Sequence, residues 1–167
     1  MKKTLYLFLA VSFIFTACKK EEGCMDPIAS NYNADAEEDD GSCIFSIIGI
    51  WDPSSIDIVA NTTVTLAGVE LYSQDTSYTM TPEEADITGT IEFKSDGTLI
   101  GPDGTETYTT TGNTITIIDN NGESNNGTFS VTKTNLALTI SDTDVDNDDM
   151  GSTITTSFDM TINCTRQ

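Results

Sequence analysis

From Ile44 onward, apolar side chains recur at every second position in short Thr-rich runs cut by Gly, Asn and Asp. That period of two is the signature of half-buried β-strands and leaves little room for helix. Ile56, Ile58 and Ala60 share one phase, as do Val64 and Leu66. Ile91 and Phe93 alternate with Thr90, Glu92 and Lys94 before Asp96-Gly97 turns the chain into 98–100. A turn at Gly101-Pro102-Asp103-Gly104 precedes a strand over 106–111, and Gly112-Asn113 leads into Ile115 and Ile117. Phe129 and Val131, then Leu136, Leu138 and Ile140, then Phe158, Met160, Ile162 and Cys164 continue the pattern. Thr81-Pro82-Glu83-Glu84 is the one helical signal, a capping box with Pro at the first helical position, and predicts a single short turn. Eight or so strands without crossover helices make an antiparallel meander. A meander with one apolar face removes its exposed edges by closing, so the expectation is an all-β, small antiparallel up-and-down barrel.

The N-terminus reads as an address. Lys2 and Lys3 precede an apolar run, Leu5 to Phe15, and the small residues Thr16 and Ala17, which is the pattern of a secretory signal over residues 1–17. The run is too short to cross a hydrocarbon core, which takes about 20 residues. Thr16-Ala17-Cys18 resembles the lipobox of bacterial lipoproteins, which implies that Cys18 becomes the lipidated first residue. The tether 18–23, with Lys19-Lys20-Glu21-Glu22, is similar to the surface-export signal of lipoproteins in some Gram-negative lineages. That resemblance implies an outer-membrane lipoprotein on the cell surface. A plain solvated spacer, and with it a periplasm-facing protein, is the alternative.

Charge excludes whole classes of partner. The chain carries 27 acidic against 7 basic residues, a formal net charge of −20. From Cys24 onward the cationic side chains are Lys94, Lys133 and Arg166, too few for a basic patch, so nucleic acid is not an expected partner. Anionic headgroups would repel such a surface, so membrane contact is expected through acyl chains on Cys18. Histidine is absent, which removes Ser–His and Cys–His catalysis. No Gly-rich phosphate cradle is present. Carboxylates are plentiful, but no apolar pocket wall marks a pair for acid–base work. The expectation is a monomer that is not an enzyme and has no catalytic residues.

Residues 23–43, GCMDPIASNYNADAEEDDGSC, resemble a small cysteine-bounded repeat of exported bacterial proteins, with the pattern GCxDPxAxNYNxxAxxDDGSC. The segment 24–43 has few apolar side chains, mainly Met25, Ile28 and Tyr32, and needs a covalent staple to hold a shape. The resemblance implies a Cys24–Cys43 bridge, worth on the order of 3 kcal/mol in the chain-entropy model. Cys43–Cys164 competes with it, because barrel closure brings Cys164 near residue 43; yet Cys164 lies on the core phase, where a free thiol is comfortable. Asp26, Asn33, Asp35, Asp39 and Asp40 offer hard oxygen donors that suit calcium, and a merely solvated acidic run is the other reading. Asp142, Asp144 and Asp146 resemble the start of a calcium loop. The match fails at Asn147, where that loop has its glycine, and at Thr153, where it has its glutamate. This stretch is expected to be a loop at the barrel mouth, with weak calcium or none.

Gly49-Ile50-Trp51 is similar to the Gly-x-Trp that opens the first strand of lipocalins. The hairpin from Thr88 to Thr98, TGTIEFKSDGT, looks like that of bacterial lipocalin-like lipoproteins. The resemblance implies a barrel over 46–166. First and last strands are neighbours in such a barrel, which places Arg166 beside Trp51. Arg166 is then expected to cover the Trp51 ring as a cation–π floor, the alternative being a frayed C-terminal arginine. Two functions follow. Ile91, Phe93, Ile115, Ile117, Phe129, Leu138, Phe158 and Met160 line a site for a small apolar or amphipathic ligand. Or the same residues fill the barrel, leaving a structural or adhesive surface module.

Overall fold

The computed structural model describes residues 20–102, 104–148 and 151–167. The expected signal over 1–17 and the expected lipidation of Cys18 fall outside them. The chain divides between Phe45 and Ser46 into two compact units.

The first unit is held by its staple. Cys24 and Cys43 are disulfide-bonded, the pairing expected over Cys43–Cys164, and two-residue strands β1 (Glu22–Gly23) and β2 (Glu38–Asp39) pair in parallel. Side chains do much of the remaining work. Asn31 donates to the Ser42 carbonyl at 2.7 Å and accepts from the Ile44 amide at 2.7 Å, tying the two ends of the loop together.

The second unit begins with β3 (Gly49–Leu66) and β4 (Val69–Met80). There follow β5 (Ile91–Phe93), β6 (Thr98–Gly101), β7 (Gly104–Thr111), β8 (Thr114–Ile118), β9 (Ser124–Val131), β10 (Asn135–Asn147) and β11 (Ser152–Arg166). From β5 to β11 each strand pairs antiparallel with the next, and β3 pairs with both β5 and β11. Eight strands therefore close into an up-and-down barrel, and β4 stands outside the ring. The closing ladder is long, from Ser152 opposite Leu66 to Arg166 opposite Trp51. It replaces the two bare edges that an open sheet would show.

Strand β3 is longer than the barrel. Its first residues, Gly49–Trp51, pair with β5, and beyond Ile56 the same flank pairs with β4 as far as Leu66. On the other side β9 reaches β10 only over Leu136–Ile140. Past that level the sheet continues as a four-stranded ribbon, β10-β11-β3-β4, with the outer flanks of β4 and of distal β10 unpaired within it. The acidic stretch from Asp142 to Asn147 belongs to this ribbon. It is strand, not the loop its composition suggested, because β11 supplies a continuous partner from Thr153 to Phe158.

A bulge sets the phase of the core. Cys164 pairs with Pro53 and Asn163 with Ser55, so Ser54 is the extra residue of β3. One inserted residue exchanges the two faces of a strand. Trp51 and Ile56, five positions apart, therefore both face inward and are fully buried. With Phe93, Ile115 and Leu136 they are the largest fully buried side chains of the core. Each contributes about 1.5–3 kcal/mol of burial or more. Phe93 meets Tyr108 edge to face at 5.0 Å, and the Tyr108 hydroxyl donates to the Lys94 carbonyl at 2.8 Å. Gly127 lets β9 and β10 approach: a Cβ there would stand 2.4 Å from the Thr139 carbonyl oxygen.

The capping box forms without a helix around it. The Thr81 amide donates to the Glu84 carboxylate at 2.8 Å and the Glu84 amide to the Thr81 hydroxyl at 3.3 Å. The turn ends at once on Asp86 in the left-handed region (φ 57°), with the Ile87 amide donating to the Pro82 carbonyl. That is a helix stop one turn after the start. It throws Ala85 and Ile87 back onto the barrel.

Candidate ligand-binding cavity

The strand directions define two ends. The start of β3, the end of β11 and the turns 94–97, 112–113 and 132–134 lie at one end, the floor. The Gly101–Gly104 pair that joins β6 to β7 and the turn 119–123 lie at the other, the mouth. The floor is sealed by Trp51 and Arg166. The Arg166 guanidinium carbon sits 4.1 Å from the Trp51 ring centroid. Its nitrogens donate to the carbonyls of Lys133 (3.0 Å), Ile48 (3.1 Å) and Ser46 (2.8 Å). The indole nitrogen of Trp51 donates to the Ile47 carbonyl at 2.7 Å. The arginine is not frayed, and partial burial pulls its pKa below the ordinary value. Gly49 makes room for it: its φ is +141°, and a Cβ would stand 2.7 Å from Arg166 Nη1.

Above the packed floor the interior is hollow. A cavity of about 350 Å³ opens between the barrel wall and the 81–90 connection, within the size range of small-molecule sites. Of the eight residues predicted to line an interior, Ile91, Phe93, Ile117, Leu138 and Met160 do so. Ile115 is buried in the core cluster and Phe129 packs against it. Phe158 is two rows too far out. It belongs to a separate groove on the ribbon, with Val59, Asn61, Asp75 and Asp159. The reason is the level at which β9 ends: β11 residues beyond Met160 have left the ring.

Other lining residues were missing from the prediction. Leu99, Ile140 and Ile162 carry the right alternation and were legible in principle. Ala85 and Ile87 were not, since a turn outside any strand delivers them. Glu106 and Asn125 escape a hydrophobic alternation because they are polar, although each keeps the inward phase. Glu106 is two residues before buried Tyr108 and opposite Leu99; Asn125 is opposite Ile117.

Cys164 is a free, buried thiol. Burial, then the nearby Asp52 charge, pushes its pKa up to about 11. The calcium expectation finds no assembled donor set: among the described residues, no group of three acidic or cysteine side chains gathers around a point. Within residues 24–43 these oxygens cap turns instead. Asp26 accepts from the Ile28 amide, Asn33 from that of Asp35, Asp39 from that of Gly41 and Asp40 from that of Ser42. The Ser42 contact draws the Asp40 pKa below the usual carboxylate value. Asp142, Asp144 and Asp146 stand on one face of β10, each about 6.7 Å from the next along the strand. That spacing is wide for ligands that bind one calcium at about 2.4 Å each.

No family model matches the chain, and no curated protein matches it.

Proposed function

We propose that this barrel binds a small apolar or amphipathic molecule, as the lipocalin-like motifs imply, and that the chain is an exported lipoprotein held to the outer membrane by acyl chains on Cys18. The observation that carries the binding reading is the hollow upper half of the barrel. Close packing is the rule in protein interiors, and at the floor end Trp51, Ile115 and Leu136 are fully buried. At the mouth end the ring instead keeps about 350 Å³ lined chiefly by Ile91, Phe93, Leu99, Ile117, Leu138, Ile140 and Met160. A barrel that served only as a structural or adhesive module would gain stability by filling that space.

The lipoprotein reading rests on Lys2, Lys3, the apolar run and Thr16-Ala17-Cys18, and the surface address on Lys19 to Glu22. Without histidine, the chain reads as a carrier or sensor, not an enzyme. Native mass spectrometry of the full chain from the producing cell tests the first reading. One small organic molecule per chain is expected, and its loss from Ile140→Trp, which fills the cavity. A chain that comes off empty and takes up no apolar probe would end it. Fractionation tests the second: Cys18→Ala should leave the membrane fraction and lack the acyl mass increment.

A further inference from the structure

The cationic side chains of the barrel unit are confined to one end of its axis, whereas acids occur at both. Its three cationic side chains are all at the floor: Lys94 follows β5, Lys133 lies in the β9–β10 turn, and Arg166 ends β11. Among the described residues the mouth turns carry only acids as charges, Asp119 and Glu123 in the β8–β9 turn. Among the described residues of the cavity lining the polar side chains are Glu106 on β7 and Asn125 on β9, flanking β8 near the mouth. Glu106 is half-buried. An apolar wall strengthens the field of a carboxylate set in it, and a cleft lined by one sign of charge concentrates the opposite sign.

The geometry points to a ligand with a cationic headgroup: an amphiphile whose tail lies among Phe93, Leu99, Ile117, Leu138 and Met160 while its head faces Glu106 and Asn125. This rests on the binding reading above and sharpens it. A fatty acid or other anionic amphiphile would put its charge against Glu106, with no cationic side chain at that end to receive it. A neutral tail gains the apolar wall but not the carboxylate. Asn125 adds a hydrogen-bonding group that suits an ammonium or a neutral polar head alike.

Three probes of one chain length separate these cases: dodecyltrimethylammonium, dodecanol and dodecyl sulfate. Each is titrated below its micelle concentration into the full chain and followed by calorimetry and native mass spectrometry. The expected order is cation, then alcohol, then sulfate, with at least about tenfold between the first and the last. Glu106→Gln should weaken the cation by about fivefold to tenfold and leave dodecanol within about twofold. Ile140→Trp should abolish one-to-one binding of all three. Replacing Asp142, Asp144 and Asp146 with Asn, which removes acids from the outer ribbon only, should change none of it. Sulfate binding as tightly as the cation would overturn the inference. So would an unchanged ratio in Glu106→Gln, or cation binding that survives Ile140→Trp and follows the ribbon acids. If dodecanol also fails to bind, the cavity reading itself falls and takes this one with it.

Discussion

Arg166 and Trp51 are register partners across β11 and β3, and the guanidinium lies 4.1 Å from the ring it covers. The pair joins the last strand to the first at the level where the barrel closes. Three carbonyl oxygens from two other segments converge on the same guanidinium. A single cationic side chain thus closes the floor, satisfies backbone acceptors and excludes water from the indole.

Arg166→Ala should therefore cost about 2–4 kcal/mol, from the lost ring contact and three charge-assisted hydrogen bonds. Trp51 fluorescence should shift to the red as water reaches the ring. Arg166→Lys keeps the charge but not the fork, and should fall between. Gly49→Ala should be destabilising by about 1–3 kcal/mol, because it meets both a strained φ and Arg166 Nη1. Denaturant melts with unchanged Trp emission in Arg166→Ala would contradict the plug.

Cys164 gives a pH dependence. Its thiol is raised from 9.0 to about 11 in the folded protein, so between those values the folded state holds a proton that the unfolded state releases. Stability from this group is complete below about pH 9 and is lost as pH rises toward 11. Cys164→Ser, which has no thiol to ionise, should show a flatter stability curve across that window. Native alkylation should be slow at pH 8 and become fast on unfolding. Equal rates in the two states would place the thiol at the surface.

The ribbon should open before the barrel. Amides of β4 from Glu70 to Ser77 pair on one side with β3 and have largely exposed side chains. Those around Ile115, Leu136 and Leu138 lie in the closed, buried ring. Hydrogen exchange should show at least about tenfold lower protection across β4, at a free energy below that of global unfolding. Uniform protection across both regions would mean the ribbon and ring unfold together.

Reducing the Cys24–Cys43 bridge should loosen residues 20–45 by on the order of 3 kcal/mol, since the unit has little apolar burial of its own beyond Cys24 and Ala29. The protection pattern of Ile115, Leu136 and Leu138 should stay as it was. Exchange measured with and without reductant reads both at once.

The turns and the alternation were local properties, and they reported the barrel reliably. Asp96-Gly97, Gly112-Asn113 and the 119–122 turn cut the chain where a two-residue phase had to reverse direction. The inward residues of β8 and the lower half of β10 followed from the same phase. β4 was not singled out as a strand, because its sequence mixes polar and apolar residues without a buried face. The acidic end of β10 departs from its loop-like composition for a related reason: composition cannot say that a long partner such as β11 runs alongside.

What the sequence determined by itself is the all-β class, the closely spaced cysteines that bound residues 24–43, and the scarcity of cations. Those are properties of neighbours along the chain. Only the tertiary structure decided which flank of β3 belongs to the ring and which to the ribbon, and where the interior stays hollow. Both depend on register between residues a hundred positions apart, and on one bulge at Ser54 that turns Trp51 and Ile56 to the same side. A strand's period tells which residues share a face; the partners it meets decide what that face encloses.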